Sequence, residues 1–204
     1  GHNEQAYLEA VEQFKPDAVI VSVPDHLHAS VSIPLIEKGI HCLVVKPMAT
    51  TLVEADAMTE AAKKAGVLGQ VEFHKRLDES NLLLRDAVQS GKLGNLLYAV
   101  IEYSQKKQVP RDIFRSWAEK TSILQYLGVH YIDIMRFVSN AIPVRTMAIG
   151  QKKWLTSKRL DTYDSIQCFI EWMLPDGSMF NQVILTNWVD PESSSAMSDQ
   201  KIKL

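Results

Sequence analysis

The sequence is poor in the features that mark a special compartment or surface. Two of its 204 residues are cysteine, Cys42 and Cys168, one in each half and each inside an apolar run. Two thiols so placed give no disulfide framework and read as small packed hydrophobes of a reduced protein, so a cytoplasmic location is expected. No apolar run approaches the roughly 18 residues of a membrane helix, and the start lacks a leader pattern; no membrane partner is expected. Charge of one sign is missing as well. The 22 Lys and Arg stand against 24 Asp and Glu, for a formal net charge of -2, which argues against a nucleic-acid surface. His26 and His28 are spaced i, i+2, on different faces of a helix, and no third ligand is evident, so no metal is expected.

What is present is ordinary globular composition, 46% hydrophobic and 23% charged, over a length that permits one large domain or two modest ones. Two β-branched runs, Ala18 to Val23 and His41 to Val45, end at Pro24 and at Lys46-Pro47. Such runs read as buried parallel strands of a sheet covered on both faces. Between them a helix is expected from about His28 to Lys38, closed by Gly39 in the left-handed conformation, with Pro34 predicting a kink or a late start. Thr51 can cap a second helix over 52–65, and Val67 to Phe73 continues the α/β series as a third strand. A helix over 79–90 exits through Gly91 and Gly94; a phosphate loop would lead into a helix, whereas this turn leads into a strand.

From Leu96 the pattern changes. Strands are expected over 96–104, 144–150, 164–173 and 179–186, the last pair joined by the hairpin signal Pro175-Asp176-Gly177, with a helix over 125–138 among them. Glu192 to Ala196 reads as a loop. The fold class is α/β: a parallel-sheet domain over 1–75, followed by an α+β domain with a largely antiparallel open sheet over 76–204. The ends read as a cut piece of a longer polypeptide, because a helix is already under way at Glu4 and Gln200 to Leu204 alternates like a strand just begun.

Three groups of residues carry chemistry. Lys46 follows a buried strand, and in open α/β sheets ligands sit outside the carboxyl ends of the strands; a solvated turn or an ion pair is an equal reading. Tyr126, His130 and Asp133 occupy i, i+4 and i+7 of a helix, one face bearing a phenol, an imidazole and a carboxylate suited to proton transfer. Spacing alone favours a satisfied core histidine and a surface Asp133. Asp25 and His28 should share the mouth of Lys46, with Asp25 capping the following helix as its local role. His74-Lys75-Arg76 reads by default as a solvated basic turn.

In order and spacing, Val23-Pro24-Asp25 with His28, then Val45-Lys46-Pro47, then Gly128 to Asp133 resemble the motifs of the Gfo/Idh/MocA oxidoreductase family over nearly the whole chain. The resemblance implies the C-terminal part of a Rossmann domain binding NAD or NADP over 1–75. Over 76–204 it implies a substrate-binding and oligomerisation domain, truncated at its C-terminal end. It further implies hydride transfer between nicotinamide and a sugar or polyol carbon in the full-length protein, and a homo-oligomer formed through the open sheet. On the same basis Lys46, His130 and Tyr126 are the catalytic candidates. Val23, Pro24, Asp25, His28, Lys46 and Pro47 line the cofactor, and Arg76, Tyr103, Trp117 and Asp133 face the substrate. Oxidising a secondary alcohol needs a base for the hydroxyl proton, and a cationic lysine would stabilise the developing alkoxide.

The sequence departs from the family pattern in three places. It has no Gly-x-Gly-x-x-Gly unit, on whose helix N-terminus a pyrophosphate would rest, so the chain alone is expected to bind a dinucleotide poorly. Val45 stands where the family has glutamate, and Tyr126 where it has aspartate. These two substitutions motivate a second reading, a non-catalytic relative that uses its cleft for ligand binding or its open sheet for assembly.

Overall fold

A computed structural model describes residues 5–204, so the expected helical start at Glu4 lies outside the described residues. The chain divides into two compact units, residues 1–72 and 73–204.

In the first unit, α1 (Ala6–Phe14) leads to β1 (Ala18–Val21), α2 (His28–Glu37), β2 (His41–Val45), α3 (Leu52–Ala65) and β3 (Gly69–Glu72). The three strands are parallel in the order β1-β2-β3, with Val21 opposite Val44 and Val44 opposite Val71. Val21, Cys42 and Val44 meet Leu35, Ile36 and Met58 in the core of this unit. Burial pushes the Cys42 thiol above its ordinary value, as befits a packed group.

The expectation of a sheet covered on both faces is corrected. Among the described residues the helices pack on the face of Val19 and Val21, and Ile20 on the opposite face is 69% exposed. The β-branched residues on both faces explain the sequence pattern, but the helices that cover one face cannot reach the other. The late start predicted from Pro34 does not occur either: α2 starts at His28, after a 3-10 turn Asp25–Leu27, and runs through Pro34 to Glu37. Burial of Leu35 and Ile36, worth roughly 1.5–3 kcal/mol for each side chain, holds the turn that Pro34 deprives of a donor. Asp25 lies within that 3-10 turn rather than at a cap of α2. Thr51 does cap α3: its Oγ1 accepts from the Glu54 N–H at 3.2 Å while the Glu54 carboxylate accepts from the Thr51 N–H at 3.2 Å, which satisfies two orphan donors.

The second unit contains α4 (Glu79–Gln89), β4 (Tyr98–Lys106), α5 (Val129–Ser139), β5 (Ile142–Gln151), α6 (Trp154–Ser157), β6 (Ser165–Met173), β7 (Met179–Asp190) and β8 (Ser198–Lys203). Its sheet has the order β5-β6-β7-β4-β8, antiparallel except for the parallel pair β4 and β7. The period-2 alternation buries Ile166, Cys168, Ile170 and Trp172 of β6 and Phe180, Ile184 and Trp188 of β7 under Tyr131, Ile134, Met135 and Val138 of α5. One buried amide bridges strand and helix: Gln182 accepts from Trp172 Nε1 at 2.9 Å and donates to the Tyr131 carbonyl at 3.1 Å. The β6–β7 hairpin turns at Gly177 with φ 84°, a conformation that favours glycine.

The expected helix over 125–138 begins differently. Leu124–Gly128 form a π-helical turn that leads into α5. Leu124 folds over Gly128, where an added Cβ would meet its Cδ1 at 2.5 Å.

Candidate active site

In the first unit the predicted residues gather at the carboxyl ends of β1 and β2. His28 is 1% exposed, with Nδ1 2.6 Å from the Pro47 carbonyl oxygen and Nε2 3.0 Å from the Val23 carbonyl oxygen. A carbonyl only accepts, so both hydrogen bonds can be made at once only by the imidazolium, and a neutral ring makes one of them. Either way His28 ties the segment after β1 to the segment after β2, and its ring faces backbone of its own unit. Lys46 continues β2, the central strand, and is 7% exposed. Of the readings the sequence left open, a freely solvated turn is therefore eliminated. Asp25 after β1 and Pro47 after β2 are buried, and Val23 and Pro24 are half-buried.

In the second unit two predicted substrate residues hold each other. Arg76 Nε donates to Asp133 Oδ2 at 2.7 Å, and its Nη2 donates to Asp133 Oδ1 to complete a fork. The guanidinium lies 5.4 Å from the Phe73 ring centre and 5.6 Å from that of Phe137. The hydrogen bonds that Arg76 donates to this carboxylate raise its pKa against the opposing effect of burial. His130 is 2% exposed and meets the His74 ring edge-on at 4.6 Å and the Phe73 ring at 6.1 Å. The 74–76 segment thus contacts α5 through His74 and Arg76 while His74 stays exposed, so the default reading of a solvated turn holds only in part.

The common stripe of Tyr126, His130 and Asp133 assumed α-helical geometry throughout, and the π-helical turn changes the phase at Tyr126. The Tyr126 ring sits among Phe114 at 4.8 Å, Trp117 at 6.0 Å and Trp188 at 6.3 Å, while His130 faces His74 and Asp133 faces Arg76. Trp117 is half-buried against Phe114, 4.5 Å away. Tyr103 points inward from β4 against Tyr131 at 5.5 Å and is 7% exposed, which makes it a core residue. Burial, with Tyr103 adding to it, pushes the Tyr131 phenol up. Trp188 and Phe114 escaped the sequence reading. Extending the period-2 alternation of β7 beyond Thr186 would have found Trp188, whereas nothing local marks Phe114. Among the described residues no group of three or more His, Cys, Asp or Glu is placed to hold a metal ion.

Two family descriptions match this chain. The family description "Oxidoreductase family, NAD-binding Rossmann fold" matches residues 3–73, and "GFO/IDH/MocA C-terminal domain" matches residues 82–173. The chain belongs to the Gfo/Idh/MocA family. Similar members include the 1,5-anhydro-D-fructose reductase of Ensifer adhaerens, 31% identical over 66% of this chain and 41% of the relative. The NAD(+) scyllo-inositol 2-dehydrogenase of Bacillus subtilis strain 168 is 32% identical over 78% of this chain and 45% of the relative. The fold is shared with an inositol dehydrogenase homologue from Azotobacter vinelandii, solved with NADH and myo-inositol. Its TM-score is 0.77 at 21% identity, covering 91% of this chain and 47% of that one. The chain thus spans less than half the length of each of these Gfo/Idh/MocA proteins.

Proposed function

We propose that this chain supplies the catalytic lysine and the substrate-domain histidine of an NAD- or NADP-dependent oxidoreductase, which moves a hydride between nicotinamide and a sugar or polyol carbon. The observation that carries the reading is Lys46: a buried lysine at the carboxyl end of the central parallel strand, in the position of the family's lysine. A cationic lysine at the carboxyl end of that strand would stabilise the alkoxide that develops as hydride leaves carbon. His130 in the second unit is assigned the proton transfer that accompanies alcohol oxidation, with His74 against its ring as a positioning neighbour. The Arg76–Asp133 fork serves to fix α5 more than to bind substrate, because each group occupies the other.

Relatives named as inositol dehydrogenases and a fructose-derivative reductase support the polyol class, and the cytoplasm suits the two buried free thiols. The open face of the second sheet supports self-association, with Met147 and Ile149 of β5 exposed beside half-buried Phe169 of β6.

The test is nicotinamide reduction across a panel of sugars and polyols by the protein at the full length of its relatives. Lys46→Ala should lower kcat by about 10²- to 10⁴-fold, the range of a positioned acid/base group, with an unchanged unfolding midpoint. Wild-type turnover in that variant would refute the assignment. Absence of turnover by the unaltered protein with NAD and with NADP across the panel would favour the non-catalytic reading that Val45 and Tyr126 suggest.

A further inference from the structure

The second unit carries a cationic cluster that the hydride-transfer reading does not use. β4 ends at Lys106 and Lys107 follows it, and the α6 region reads Lys152-Lys153-Trp154 and then Lys158-Arg159. The fold brings two of these together: the Lys107 Nζ lies 5.1 Å and the Lys158 Nζ 5.6 Å from the centre of the Trp154 ring. Each ammonium gains from the ring, by roughly 0.5–1 kcal/mol at an exposed site, but the two charges repel each other. Among the described residues neither has a carboxylate partner. The acidic groups nearby in the chain are taken up elsewhere. Asp161 pairs with Lys152 at 2.6 Å, and Asp190 accepts from Ser104 Oγ at 2.5 Å.

The platform is also fixed in advance. Asp164, buried at 6% exposure, accepts from the backbone N–H groups of Lys153, Trp154 and Leu155 at 2.7, 2.6 and 2.8 Å. Lys107 is tethered where its own N–H donates to the Asp190 carbonyl at 3.3 Å. The indole is thereby fixed in place by its backbone, and two lysines gathered at it offer their charge to an anion.

We infer that Lys107, Trp154 and Lys158 form a binding site for the oxyanion of a small molecule, a phosphate or a carboxylate, whose charge completes the pair. The site stands on geometry within the second unit and is independent of the hydride-transfer reading.

Tryptophan emission and isothermal titration of the 204-residue chain at low ionic strength test it, with inorganic phosphate, glucose 6-phosphate, gluconate and glucose as probes. Saturable binding of the anions without binding of glucose is expected. Tighter binding of glucose 6-phosphate than of inorganic phosphate identifies an organic ligand, and equal binding identifies the oxyanion alone. The pair Lys107→Gln and Lys158→Gln should weaken binding at least tenfold, whereas Lys152→Gln, which removes a lysine already paired with Asp161, should change it less than twofold. Circular dichroism melts control for folding. Equal affinity in the Lys107 and Lys158 double variant and the unaltered chain, or binding of glucose as tight as that of its 6-phosphate, would overturn the inference.

Discussion

The two sheets of this protein bury themselves differently. In the first unit a parallel sheet has its helices on the Val19 and Val21 face, leaving Ile20 open on the other. In the second, strands β6 and β7 of a largely antiparallel sheet alternate, with one face closed by α5 and a core that includes Trp172, Trp188, Tyr131 and Phe180. Antiparallel sheets commonly present one face to solvent, whereas parallel sheets in α/β folds are covered on both. The first unit thus leaves apolar surface open on one face of its parallel sheet, and the second leaves it open at edge strand β5, where Val144, Met147 and Ile149 are exposed. The candidate lysine sits on the first unit and the candidate histidine on the second.

The contrast can be broken or sharpened by substitution, read by urea unfolding with separate probes for the two units. The largest effect should come from Trp188→Ala in the second core, where a fully buried indole also loses its 2.9 Å hydrogen bond to Gln105. A loss of about 3–5 kcal/mol is expected, confined to the transition of the second unit; coincident shifts in both units would show that they unfold together. Next comes Asp164→Ala, which orphans three backbone donors and should cost about 1–3 kcal/mol in the same unit. In the first unit, Thr51→Ala removes one half of the α3 capping box and should cost about 1 kcal/mol. Hydrogen bonds from Thr51 and Thr50 hold the Glu54 carboxyl low against desolvation, the largest single influence, which raises it. With its folded pKa depressed, Glu54 stabilises above its unfolded pKa, and that contribution fades as pH falls through the lower, folded value. The smallest effect belongs to Ile20→Thr on the open face, within about 0.5 kcal/mol; a cost above about 1.5 kcal/mol would mean that this face is packed after all.

Much of this architecture is legible in the residues. Period-2 alternation marks β6 and β7, Gly177 marks their turn, Thr51 the start of α3, and the β-branched runs the parallel strands. The α-helices follow 3.6-residue spacing, but at Leu124–Gly128 packing of Leu124 against Gly128 accompanies a π-helical turn that no periodicity announces. The candidate site was legible as a set of residue types at family-like separations. Its contacts were not: the His28 bridge spans 19 residues to Pro47 and the Arg76–Asp133 fork spans 57.

By itself the sequence determined the order and type of most elements, the unlike halves, the family motifs around Lys46 and His130, and the absence of any strong charge bias. These depend on local backbone preference and on spacing, which neighbouring residues supply. Only the tertiary structure decided that Lys46 is buried, that His28 faces two carbonyls, that Arg76 is held by Asp133, that Tyr126 belongs to an aromatic cluster, and that Lys107 and Lys158 share one indole. Each of those depends on which distant side chain arrives at a given point, and that is set by how whole layers pack.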